Sequence, residues 1–103
     1  MGSTALNFAL ERMERPKIET PRAAIDRIDT ELLRLLNERA AIALEAGAAK
    51  SSADASLCDP KRETEVLLRL AAENVGPFDD ESIANIFQRI IDESLQLQQR
   101  TYH

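Results

Sequence analysis

Between residues 21 and 50 the apolar side chains recur at three- and four-residue steps: Ile25, Ile28, Leu32, Leu35, Leu36, Ile42, Ala43 and Ala46. That spacing gathers them into one stripe of a single amphipathic helix. Thr20 is a good N-cap and Pro21 suits the first helical position, where a missing N–H costs nothing. Asp26, Asp29 and Glu31 stand early, where the helix dipole favours negative charge. No proline follows until Pro60, and Gly47 is the one glycine in the stretch. Such a helix would be about 45 Å long, well beyond the usual three or four turns.

Residues 51–58, small and polar, read as a loop long enough to cover a site. Asp59-Pro60 repeats the signal of a capping residue followed by proline, and predicts a second helix over 59–74. Val66, Leu67 and Leu70 form its apolar face, with Glu63 beside that face and Arg62 in the first turn. Asn74, Gly76 and Pro77 end it. Asp79 then caps a third helix over about 80–100, with the stripe Ile83, Ile86, Phe87, Ile90 and Ile91. Ser94, Leu97 and Gln98 continue that stripe, so it turns polar at its far end. A buried, unsatisfied Gln98 would cost roughly 1–3 kcal/mol. It either makes an interhelical bond that sets register or faces a polar pocket.

No strand-like alternation, internal repeat or glycine-rich phosphate loop interrupts this pattern. The fold class is all-α, with three helices and a very long first one. Residues 1–19 show only a weak helical pattern in Leu6, Leu10 and Met13. They read as a flexible N-terminal arm or short docking helix ahead of a domain spanning 20–103, and Gly2-Ser3 resembles a cloning remnant.

Composition narrows the function. Hydrophobic residues make up 44% of the chain, with three phenylalanines, one tyrosine and no tryptophan, a profile suited to Leu/Ile/Ala helix packing. A net charge of −5 argues against nucleic acid or an anionic membrane as partner. No apolar run approaches a membrane span and the N-terminus lacks a signal-peptide core. Cys58 stands alone, which points to a cytoplasmic protein without a disulfide framework. With one histidine, His103, and one cysteine, no metal site or cofactor is expected. A chain this short leaves much surface exposed, so an oligomer is expected.

Against that acidic average, the first helix places cations on its apolar stripe. Arg22 precedes the stripe, Arg39 falls between Leu35 and Ile42, and Lys50 lies one step beyond Ala46. Any one of them can run its stem over apolar surface and keep its head in water. Three together point to an anionic ligand, because inward charges need partners. Arg39 and Lys50 are roughly 16 Å apart along the axis and about 20° apart around it, so both can grip one small molecule. Arg22 lies on the order of 25 Å from Arg39, too far for the same ligand in one chain. Antiparallel pairing with a second copy would bring it to a neighbouring site.

These residues resemble a known family. The run Arg22–xx–Ile-Asp-Arg-Ile-Asp–xx–Leu-Leu–xx–Leu-Asn-Glu-Arg39, then Lys50, then Asp59-Pro-Lys-Arg62-Glu63, then Ile90-Ile-Asp-Glu-Ser94–xxx–Gln98, is similar to the all-α chorismate mutases. The resemblance covers residues 20–99. It implies an intertwined helical homodimer with two active sites, each borrowing one arginine from the other chain. It implies that Arg39 and Arg22 of the partner subunit hold the two carboxylates of chorismate. Lys50 and Gln98 would hydrogen-bond the ether oxygen of the breaking bond, and Glu63 the ring hydroxyl, with Asp59 nearby. Arg62 and Ser94 would complete the polar lining.

The implied reaction converts chorismate to prephenate in aromatic amino-acid biosynthesis and needs neither nucleophile nor general base. Two other readings share these features: an isochorismate pyruvate-lyase of the same fold, and a non-catalytic helical dimerisation or regulatory module. Some small mutases of this type are boosted by a synthase of the same pathway, for which residues 1–19 would be a docking element.

Overall fold

The computed structural model describes residues 18–102, and their regular structure is three helices: α1 (Pro21–Ser52), α2 (Pro60–Glu73) and α3 (Asp80–Tyr102). The expected N-terminal arm falls almost wholly outside the described residues. Thr20 caps α1 as expected, its Oγ1 accepting from the Ala23 N–H at 3.1 Å. The helix runs on through Ser52, so the loop starts at Ala53 and not at Ser51. Its last carbonyls find donors in the turn that follows: Ala53 N–H reaches Ala49 O at 3.2 Å, and Ala55 N–H reaches Lys50 O at 2.8 Å. Asp54 makes that turn with φ 55°, a left-handed conformation that Asp tolerates better than most residues.

Asp59 Oδ1 accepts from the Arg62 N–H at 3.1 Å and starts α2, with Pro60 in the first turn. Asn74 ends it and organises the next turn. Its Oδ1 accepts from the Gly76 N–H at 3.0 Å, while its Nδ2 donates to Phe78 O at 2.9 Å and to Asp80 Oδ1 at 2.8 Å. Gly76 takes φ 78°, which its lack of a side chain permits. Asp79 Oδ1 accepts from the Ser82 N–H at 2.7 Å and caps α3. That hydrogen bond holds the Asp79 carboxyl below the usual carboxylate range. The third helix ends at Tyr102, two residues beyond its expected end.

α3 packs on both α1 and α2, while α1 and α2 do not pack on each other. The result is long and flat, 52 × 32 × 18 Å. Its core is slight: among the described residues only Ala24, Val66 and Ile91 are buried apolar side chains. The stripe expected to face a core is largely bare in the single chain. Ile25 and Ile42 are each 57% exposed and Leu32 is 51% exposed. The periodicity marked one face of α1, but within the single chain α3 is too narrow to bury it. Among the described residues no helix is long and apolar enough to cross a membrane.

Candidate active site

Because α1 and α2 do not pack on each other, a cleft of ≈ 190 Å³ opens between them, floored by α3. The wall from α1 is Arg39, Ala43, Ala46 and Lys50, one helical row in which two small residues leave room between two cations. The loop and the α2 cap add Leu57 and Asp59, and α2 adds Arg62, Glu63 and Val66. Ile91, Ser94, Leu95 and Gln98 form the floor. The structure thus brings together seven of the expected site residues: Arg39, Lys50, Asp59, Arg62, Glu63, Ser94 and Gln98. Arg22 is exposed and absent from this cleft, as its distance along α1 requires.

Arg39 is half-buried and donates from Nη1 to Ser94 Oγ at 3.3 Å. Ser94 in turn donates to Ile90 O at 2.8 Å, which fixes its hydroxyl. No carboxylate of the described residues lies within ion-pair distance of Arg39. A partly desolvated guanidinium with no carboxylate at ion-pair distance has donors available to an anion.

Lys50 Nζ stands 3.8 Å from Asp59 Oδ2, with the two side chains 32% and 47% exposed. This is too long for a hydrogen bond and leaves the ammonium donors free for a ligand. Arg62 Nη1 is 3.9 Å from Glu65, an equally loose pair. The cleft therefore gathers three cations against two carboxylates in a chain of net charge −5.

Gln98 is buried, and its Nε2 donates to Ala43 O at 2.6 Å. A carbonyl only accepts, so this contact orients the amide and uses one of its two N–H donors, leaving the second available. Both alternatives for Gln98 hold at once: it ties α3 to α1, and it lines a polar pocket. Glu63 Oε1 accepts from Gln88 Nε2 at 3.4 Å, and the same nitrogen donates to Asp92 Oδ1 at 2.9 Å. Gln88 had no part in the expected site. Its spacing to Asp92 is visible in the chain as an i,i+4 pair, but its approach to Glu63 depends on how α2 sits on α3.

The profile of the family described as chorismate mutase type II matches residues 21–99, which span all three helices but for the last residues of α3. The chain belongs to the type II chorismate mutase family. Its fold is similar to that of chorismate mutase (form II) from Thermus thermophilus, with a TM-score of 0.79 and 41% identity over 85% of this chain and 100% of that one. A second form of the Thermus chorismate mutase gives a TM-score of 0.72 and 42% identity, over 77% of this chain and 99% of that one.

Two curated relatives are bifunctional chorismate mutase/prephenate dehydratases. The one from Neisseria gonorrhoeae is 44% identical over 75% of this chain, and the one from Aquifex aeolicus is 43% identical over 77%. The chain spans only 21% and 23% of the length of these two relatives. The all-α architecture expected from periodicity and the family suggested by the dispersed motif both hold in this chorismate mutase family member.

Proposed function

We propose that the chain is a chorismate mutase, converting chorismate to prephenate by intramolecular rearrangement. The observation that carries this reading is Arg39, a half-buried cation with a hydroxyl but no carboxylate beside it, lining one cleft with Lys50 and Gln98. In the reaction one C–O bond breaks as one C–C bond forms, and no proton moves. The protein must hold a flexible dianion in its reactive shape and stabilise the negative charge that grows on the ether oxygen. Arg39 takes one carboxylate through its forked donors. Lys50 and the second N–H of Gln98 meet the ether oxygen. Glu63, held by Gln88, takes the ring hydroxyl, with Asp59 nearby. Arg62 and Ser94 complete the polar lining.

The working unit is a homodimer. The bare stripe of α1 is a face that a second α1 covers when the two run antiparallel. Such pairing carries Arg22 of the partner subunit to the other carboxylate. The reading as a cytoplasmic enzyme accords with the free, exposed thiol of Cys58. Incubating the purified chain with chorismate, and separately with isochorismate, tests the assignment. Prephenate formation is expected from the first. Pyruvate release from the second without prephenate from the first would assign the lyase. A folded dimer that turns over neither would be a non-catalytic module.

A further inference from the structure

Gly47 is buried within the last two turns of α1. A glycine inside a helix costs roughly 0.5–1 kcal/mol relative to alanine. Backbone freedom does not explain it, because Gly76 is the glycine with positive φ among the described residues. Space does. A Cβ on residue 47 would stand 3.1 Å from Gln98 Cγ and 3.1 Å from Cδ2 and Cε2 of the Tyr102 ring. Carbon atoms pack best at about 3.5–4.0 Å. At the same level, Gln98 Nε2 reaches Ala43 O at 2.6 Å. That carbonyl lies one turn before Gly47 and is the helical acceptor of the Gly47 N–H. The amide therefore comes onto the α1 backbone at the one position where no side chain stands in its way.

We propose that Gly47 is a positioning residue: its bare α-carbon lets the Gln98 amide seat one N–H on Ala43 O, which turns the other N–H into the cleft. What the second N–H does there rests on the mutase reading. The seating itself does not, and the two are measured separately. The Gln98 side-chain amide protons, observed by NMR, report the seating without substrate. In the wild type the proton bonded to Ala43 O is shifted downfield of a free glutamine amide proton and is protected from exchange with solvent. In Gly47→Ala that shift and that protection are lost. The melting temperature stays close to wild type, because alanine's higher helix propensity offsets local crowding.

With chorismate, kcat of Gly47→Ala falls by about 10–100-fold while KM changes little, as expected for a donor moved out of line. In a Gln98→Ala background the same change costs no more than about twofold, since the group it acts through is gone. Tyr102→Ala, which removes the other neighbour, keeps kcat near normal. If crowding against Tyr102 unfolds Gly47→Ala, the Gly47→Ala/Tyr102→Ala variant leaves the Gln98 contact alone to be read. Unchanged amide signals in a folded Gly47→Ala protein overturn the proposal. So does a kcat loss that persists in the Gln98→Ala background, or one that Tyr102→Ala reproduces. A wild type inactive on chorismate removes the mutase reading and leaves the amide measurement to decide the seating.

Discussion

Two inactive variants should make an active mixture. α1 is one unbroken helix from Pro21 to Ser52, so Arg22 and Arg39 are held on the order of 25 Å apart. No small dicarboxylate touches both within one chain. If each site takes Arg22 from its partner, Arg22→Ala and Gln98→Ala homodimers both carry lesions at both sites, and each loses on the order of 10²–10³ in rate. Unfolding the two together and refolding them produces heterodimers. One site of a heterodimer then bears both lesions. The other takes intact Gln98 from the Arg22→Ala chain and intact Arg22 from the Gln98→Ala chain, so its lining is wild type.

A heterodimer should therefore regain about half the wild-type activity, and a randomly paired mixture about a quarter. That lies more than an order of magnitude above the homodimer background. The assay is chorismate consumption before and after co-refolding, with heterodimers counted by native mass spectrometry. Were Arg22 to act within its own chain, every heterodimer site would keep one lesion. Abundant heterodimers with activity still at the homodimer level would refute the shared site.

The remaining predictions follow from single contacts. Lys50→Ala should lower kcat by about 10²–10³ with the helical circular dichroism intact; a folded variant with near-normal kcat removes Lys50 from the mechanism. Gln98→Glu should make the rate pH-dependent: an ionised carboxylate can only accept hydrogen bonds, whereas the protonated form can donate. Activity should then rise as pH falls through the pKa of the introduced carboxyl, and a flat profile places residue 98 away from the ether oxygen. Asp79 caps α3 with its pKa below the ordinary value of about 3.9, so its stabilisation is present above that value and is lost as pH falls through the depressed one. Asp79→Asn keeps a capping oxygen but should lose that pH dependence, and parallel melting curves for both proteins across the acid range would show the cap to be uncharged in its effect.

How much of this was readable in the chain depended on how local each cause was. The caps at Thr20, Asp59 and Asp79 are decided within four residues, and all three appear where the side chains demanded them. The far end of α1 was harder. Ser51 and Ser52 are weak helix formers but not breakers, and the helix outlasts them because Asp54 bends the following turn back to cap its carbonyls. The Arg39–Lys50 row needed only the helical repeat, and so did the line from Ser94 to Gln98. Contacts between helices were another matter. Nothing in the sequence says that Gln88 meets Glu63, or that residue 47 lies under the Gln98 side chain and Tyr102. Both depend on the register of helices distant in sequence. Periodicity likewise shows that Ile25, Ile28 and Leu32 form a face, without saying which chain is to cover it.

The separation of α1 from α2 has a consequence for motion. Among the described residues the two walls are joined through the floor helix, the strap of residues 53–59 and the loose Lys50–Asp59 pair, with no packing of α1 on α2. A molecule gripped by Arg39 and Lys50 on one wall and by Glu63 on the other supplies that packing. Binding should then act as a brace: backbone amides of the strap and of the first turns of α2 would exchange with solvent far more slowly when the cleft is filled, while those in the middle of α3 would barely change. The ligand would in this sense be the fourth packing element of a three-helix chain, and the protein should melt at a higher temperature with it than without it.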